Sequence, residues 1–182
     1  MKLLITSGGT AVPIDPVRSI TNSSSGRFGS ELAIAALESG FEVLYLTAEK
    51  AKSPFSITFD LYGMNDIESY GHALQKLSAF AKNYAEHYHE YQYTTYSEYA
   101  SQLQKIIQQE KPEIILLGAA VSDYIVANYS TSKVRSNQQL LIDLQLAPKL
   151  IHYVKQWLPE TFLVGFKLLV NVSDSELVEA AL

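Results

Sequence analysis

Leu3-Leu4-Ile5, followed directly by Thr6-Ser7-Gly8-Gly9-Thr10, reads as a short buried strand running into a glycine-rich turn. Residues 11–25 hold Pro13, Pro16 and then Thr21-Asn22-Ser23-Ser24-Ser25, a run of turn and cap formers, and read as a long loop. A helix follows, with Phe28, Leu32, Ala35 and Ala36 on one face and Ser39-Gly40 closing it. Residues 41–48 form a second strand. Strand, loop, helix and strand in that order imply a parallel sheet with a right-handed crossover.

The pattern continues outward from this unit. Residues 49–62 read as a loop with an irregular strand at 57–59. A helix is expected over 66–87 from Ile67, Tyr70, Leu74, Leu77, Phe80, Ala81 and Tyr84. A strand at 88–94 precedes a helix at 96–109, whose apolar face is Tyr99, Leu103, Ile106 and Ile107; Lys111-Pro112 ends it. Residues 113–120 are the strongest strand signal, apolar throughout and so buried on both faces. Residues 140–144 alternate as a strand, 149–157 form a short helix, and 162–166 form one more buried strand. A last helix starts at Ser173, where Ser173 and Glu176 match a capping box. That pattern stops at Leu182 without a capping glycine or polar tail, so the expectation is a domain that continues further. Six of the 12 tyrosines fall between Tyr84 and Tyr99, which suits packing of an aromatic-rich helix and strand.

The composition narrows the function. A chain of 182 residues with 47% apolar residues can bury a sizeable core. A net charge of −5 gives no domain-wide basic surface and argues against nucleic-acid or anionic-membrane partners. The absence of cysteine excludes disulfide scaffolds, thiol catalysis and zinc–thiolate sites. The apolar run after Lys2 is far shorter than the ~7–15 residues of a signal-peptide core. A soluble cytoplasmic protein is expected.

Three places carry chemistry. The Gly8-Gly9 turn and Asn22-Ser23-Ser24-Ser25-Gly26-Arg27-Phe28-Gly29 supply backbone N–H groups, hydroxyls and a helix N-terminus, the ingredients of a phosphate cradle. An ordinary capped helix is the competing reading. The segment lacks the Lys-Ser or Lys-Thr of a Walker A loop and the compact Gly-x-Gly-x-x-Gly of a dinucleotide site. Gly118-Ala119-Ala120-Val121-Ser122-Asp123-Tyr124 sits at the carboxyl end of the most buried strand, where ligands of open α/β sheets bind. Asp123 is there either a rim carboxylate or a turn cap. Ser132-Lys133-Val134-Arg135-Ser136 offers cations on a polar loop, suited to clamping a polyphosphate unless it is merely solvated.

Other patterns lead elsewhere. Tyr129 to Lys133 matches the Tyr-x-x-x-Lys pair of short-chain dehydrogenases, but that pair belongs on a helix and these surroundings make a poor one. His72, His87, His89 and His152 form no metal-site pattern, so no protein-held metal is expected.

Read together, these segments resemble the phosphopantothenoylcysteine synthetases, also called phosphopantothenate–cysteine ligases. The resemblance rests on Gly8-Gly9-Thr10, Pro13-Ile14-Asp15-Pro16-Val17-Arg18, Asn22 to Gly29, Ala119 to Tyr124, Lys133-Val134-Arg135 and Val164-Gly165-Phe166-Lys167-Leu168, in the family's order. It implies one three-layer Rossmann-like ligase domain over 1–182, mostly parallel with helices on both faces, and a helical insert at 63–92. It implies a dimer. The reaction it implies joins 4′-phosphopantothenate to L-cysteine through an acyl-nucleotide intermediate in coenzyme A biosynthesis, with Mg²⁺ accompanying the nucleoside triphosphate. Position by position, Gly8, Ser24, Gly26 and Gly29 would hold the nucleotide phosphates. Asn22 would bind substrate and stabilise the acyl-nucleotide, and Ala119, Ala120 and Asp123 would line the pocket. Lys133 would sit on a flap and stabilise the first transition state. Phe166 would pack on the base or ribose, and Arg18 would reach the substrate phosphate of a neighbouring subunit.

Two departures stand against this. The family continues past this point with an Ala-Asn-Asp-like strand end and nucleotide-binding lysines. Leu169-Val170 stand where the eukaryotic branch places an acidic residue. The nucleotide stays open between CTP and ATP, and the compact Pro13 to Arg18 loop, similar to the bacterial form, favours CTP. Phosphopantothenoylcysteine decarboxylase is the functional partner the resemblance implies. The rival readings are an NAD(P)-dependent short-chain-type oxidoreductase and a non-catalytic regulatory homologue.

Overall fold

A computed structural model describes residues 1–57, 67–137, 139–168 and 171–181. In chain order the elements are β1 (Lys2–Ser7), β2 (Ala11–Asp15), β3 (Arg18–Thr21), α1 (Arg27–Glu38), β4 (Glu42–Ala48), α2 (Ile67–Tyr84), β5 (Tyr88–Tyr93), α3 (Tyr96–Glu110), β6 (Ile114–Leu117), β7 (Tyr124–Val126), β8 (Leu144–Leu146), α4 (Ile151–Trp157), β9 (Phe162–Gly165) and α5 (Asp174–Ala181). A turn of 3-10 helix, Ala85–His87, links α2 to β5. Thr58 and Phe59, in the expected strand at 57–59, lie outside the described residues.

The main sheet has five parallel strands in the order β5-β4-β1-β6-β9. Strand β1 is central, and its alternation builds both layers of core. Leu3 and Ile5 pack with Val43 and Tyr45 against Ala33, Ala36 and Leu37 of α1. Leu4 packs with Leu44 and Leu46 against Tyr99, Leu103, Ile106 and Ile107 of α3 and Val154 of α4. Each fully buried side chain of this kind contributes roughly 1.5–3 kcal/mol relative to exposure. The three-layer α/β arrangement agrees with the sequence reading, as does the capping box of Ser173 and Glu176; a second, at Thr95 and Glu98, was not read from the sequence. Thr95 and Glu98 exchange bonds of 3.2 and 3.0 Å at the start of α3, and Ser173 and Glu176 do the same before α5.

The departures are local. Residues 11–21 are an antiparallel hairpin, β2 with β3, with an irregularity between Pro13 and Asp15, where a plain loop was expected. The buried face of α1 is Gly29, Ser30, Ala33, Ala36 and Leu37, while Phe28 stands half exposed. The reason is steric. A Cβ on Gly29 would lie 2.4 Å from the Ser7 hydroxyl oxygen, so the face that can approach β1 closely is the glycine face. The strand expected at 140–144 begins only at Leu144 and pairs with β7 as a second small hairpin. Leu144 and Leu146 are both exposed, so apolar alternation there carries no burial signal.

Candidate nucleotide and acyl-transfer site

The strand order reverses between β1 and β6, and the crevice beyond their carboxyl ends is where such sheets bind ligands. Backbone bonds hold this crevice open. After β1, Gly8 takes φ +83°, and a Cβ there would lie 2.6 Å from that of Ala48. Ala120 N–H donates to Gly8 O at 2.8 Å, and Thr10 N–H donates to Ala120 O at 3.2 Å. Hydroxyls tie the same two loops. Thr6 Oγ1 accepts from Ala119 N–H at 3.2 Å and Tyr99 OH at 3.3 Å, and Thr10 Oγ1 accepts from Ser122 N–H at 2.9 Å. Burial pushes the Tyr99 phenol up to about 12, so it remains a neutral donor.

Asn22 follows the hairpin and is placed by its N–H bond to Thr10 O at 3.2 Å. Its carbonyl lies over Gly9, where an added Cβ would approach it to 2.2 Å. Helix α1 opens on Gly26 at φ +73°, with no side-chain cap from that residue and no acid in its first turn, leaving the positive end of its dipole uncompensated. A cleft of about 400 Å³ is lined by Gly9, Thr21, Asn22, Ser24, Lys50 and Tyr93, among others. Thus Gly8, Asn22, Ser24, Gly26, Gly29, Ala119 and Ala120 gather around the carboxyl ends of β1 and β6.

The remaining expected residues fall into three groups. Phe166 follows β9 and meets Phe28 edge to face, with centroids 4.9 Å apart. Both rings are half exposed, and the Phe28 ring lies 3.8 Å from where a Cβ on Gly118 would stand. Asp123 is exposed and paired with Lys149, a partner the sequence did not suggest. Its carbonyl accepts from Ala147 N–H at 2.9 Å.

Arg18 and Lys133 are connected through Asp15. The buried Asp15 carboxylate accepts from Val17 N–H (2.9 Å), Arg18 N–H (2.8 Å), Arg18 Nη1 (3.1 Å) and Val134 N–H (3.1 Å). Arg18 Nη1 also donates to Val134 O at 3.2 Å. Burial pushes the Asp15 carboxyl up, but the Val17, Val134 and Arg18 N–H donors and the guanidinium outweigh it. The group ionises below the usual aspartate value. Lys133 is exposed beside this junction.

Sequence reasoning assigned no role to Asp15, nor to the hydroxyls of Thr6, Ser7 and Thr10. An aspartate two residues before the N–H it accepts is an Asx-turn signal and could have drawn attention to Asp15. Among the described residues no three His, Cys, Asp or Glu side chains converge on a metal-sized point. Residues 129–133 are not helical, so Tyr129 and Lys133 cannot form a helix-borne dehydrogenase pair.

A parallel sheet with a glycine turn and a helix N-terminus at its switch point defines a Rossmann-like α/β domain. More narrowly, the chain belongs to the family described as the DNA/pantothenate metabolism flavoprotein C-terminal domain, which matches residues 1–61 and 84–179. It is 31% identical over 180 residues to the Coenzyme A biosynthesis bifunctional protein CoaBC of Thermococcus kodakarensis, covering 99% of this chain and 37% of that protein. It is 32% identical over 195 residues to the phosphopantothenate–cysteine ligase of Homo sapiens, covering 91% of this chain and 63% of that one. A solved Cab2 variant in complex with phosphopantothenate-cysteine superposes with a TM-score of 0.82 at 26% identity, covering 98% of this chain and 67% of that chain. The chain thus spans about a third to two thirds of the length of these curated relatives.

Proposed function

We propose that this domain joins 4′-phosphopantothenate to L-cysteine at the expense of a nucleoside triphosphate. The observation that carries the reading is the convergence of Gly8, Asn22, Ser24, Gly26 and Ala120 at the carboxyl ends of β1 and β6, in a chain similar to named ligases.

The reaction has two halves. The substrate carboxylate attacks the α-phosphorus, an acyl-nucleotide forms and pyrophosphate leaves. The cysteine amine then attacks the acyl carbonyl, an amide forms and the nucleoside monophosphate leaves. Negative charge grows on phosphate oxygens in the first half. The glycine N–H groups, the Ser24 hydroxyl, the α1 N-terminus and the Lys133 ammonium are the groups this chain offers against it. Asn22 holds the substrate and steadies the acyl-nucleotide carbonyl for attack. Ala119 and Ala120 leave room for the substrate, and Asp123 borders the pocket. Phe166 packs on the base or ribose, and Arg18 binds the substrate phosphate across a homodimer. Mg²⁺ enters with the nucleotide phosphates and neutralises their charge.

CTP is the favoured nucleotide, with ATP the competitor. Phosphopantothenoylcysteine decarboxylase is the functional partner, in the cytoplasm. No described helix is long and apolar enough to cross a membrane. Pyrophosphate release by the chain with phosphopantothenate and Mg²⁺, with and without cysteine, and with CTP and ATP in parallel, tests the reading. Release that requires phosphopantothenate and rises with cysteine is expected. Release with neither nucleotide overturns it.

A further inference from the structure

A charge is buried at little net cost only when donors surround it. Asp15 meets that condition with donors from two distant parts of the chain. Its Oδ1 accepts the Val17 and Arg18 amides and closes the β2–β3 turn. Its Oδ2 accepts Arg18 Nη1 and the Val134 amide, and the same Nη1 reaches Val134 O. The Val134 backbone is thereby held by both its N–H and its C=O. A further backbone bond, Ser130 N–H to Ile14 O at 3.1 Å, fastens the approach to this segment. The hairpin that carries Asp15 is the one that leads to Asn22.

Resting on the ligase reading above, we propose that Asp15 is a positioning residue. Its buried carboxylate clasps Val134 and fixes the backbone beside Lys133, so that the ammonium is already placed when charge develops in acyl-nucleotide formation. Asp15 touches no reacting atom. The clasp also fixes one nitrogen of Arg18 and leaves the rest of its guanidinium fork for a substrate phosphate.

The two carboxylate oxygens separate the local role from the long-range one. Asp15→Asn keeps an oxygen for the Val17 and Arg18 amides and presents an NH₂ group to the Arg18 and Val134 donors. Val134→Pro removes the distant amide, fixes φ at 134 and restricts the backbone of Lys133, while leaving the buried carboxylate in place. Amide exchange at Val134 is measured in Asp15→Asn, and the two half-reactions are measured for both variants. Pyrophosphate release without cysteine reads the first, and decay of trapped acyl-nucleotide on adding cysteine reads the second. The expected result is exchange at least ~10-fold faster at the Val134 amide in Asp15→Asn, and a first half-reaction at least ~10-fold slower in both variants. The second half-reaction stays within about twofold. Unchanged exchange of the Val134 amide in Asp15→Asn, or equal slowing of both half-reactions, overturns the proposal. If Asp15→Asn does not fold, a first half-reaction left unslowed in Val134→Pro still overturns the proposal. A wild-type chain without phosphopantothenate-dependent release refutes the ligase reading instead, and exchange still decides whether Asp15 holds the segment.

Discussion

The amide of Thr10 donates to the carbonyl of Ala120 across 3.2 Å, joining the turn after β1 to the turn after β6. With the Ala120 amide bonded to Gly8 O, the two loops run together as a short parallel bridge past the end of the sheet. The floor of the crevice is therefore set by backbone.

That geometry makes Gly9 intolerant of any side chain. A Cβ would sit 2.2 Å from Asn22 O, a contact with backbone that no rotamer relieves. Gly9→Ala is expected to lower stability by about 1–3 kcal/mol, the usual cost of overpacking. It should also displace Asn22, so activity should fall further than stability does. Denaturant unfolding alongside turnover checks this, and wild-type values for both would refute the close approach.

The Phe28–Phe166 pair leads to the opposite split. Both rings are half exposed and touch each other 4.9 Å apart. Phe166→Ala should cost no more than the ~0.5–1.5 kcal/mol of an aromatic pair in stability. If the ring packs on the nucleotide, KM for the triphosphate should rise roughly tenfold with kcat little changed. An unmoved KM would remove Phe166 from the nucleotide site.

Much of this was legible because burial leaves a period in the sequence. The Tyr99, Leu103, Ile106, Ile107 stripe announces the buried face of α3, and the unbroken apolar run Leu3-Leu4-Ile5 announces a strand covered on both faces. What was not legible lacks that period. The β2–β3 hairpin contains two prolines and pairs its strands through backbone, with Arg18, Ser19, Ile20 and Thr21 half or fully exposed. The face of α1 was misread because large apolar residues suggested Phe28, whereas Gly29 makes the close approach to Ser7. At the site, glycines and alanines could be named from their motifs. The Asp15–Val134 and Asp123–Lys149 contacts could not, since nothing local in a sequence says which distant amide or ammonium a carboxylate will meet.

The roles proposed for Asn22 and Lys133 predict a kinetic division. Lys133→Ala should suppress acyl-nucleotide formation by a factor on the order of 10²–10³, the usual loss for one charge-stabilising donor. Asn22→Asp should allow that step and let the acyl-nucleotide accumulate, because the amide that steadies the carbonyl for attack is gone. Rapid quench with labelled nucleotide resolves the two. Normal turnover in either variant would sink its assigned role.

Asp15 also predicts how stability depends on pH. Its carboxyl ionises below the ordinary aspartate value, because the N–H donors and Arg18 outweigh burial. A folded-state value below the unfolded one means the ionised form favours the fold. That contribution is complete above the unfolded value of about 4 and is lost as pH falls through the folded value. Asp15→Asn cannot titrate, so it lacks this increment at every pH. The stability gap between wild type and Asp15→Asn should therefore be widest near neutrality and close progressively below about pH 4. Urea unfolding from pH 7 down to pH 3 measures it. A gap that stays constant, or widens in acid, would mean that the neutral carboxyl satisfies the Val134 and Arg18 donors as well as the charged one does.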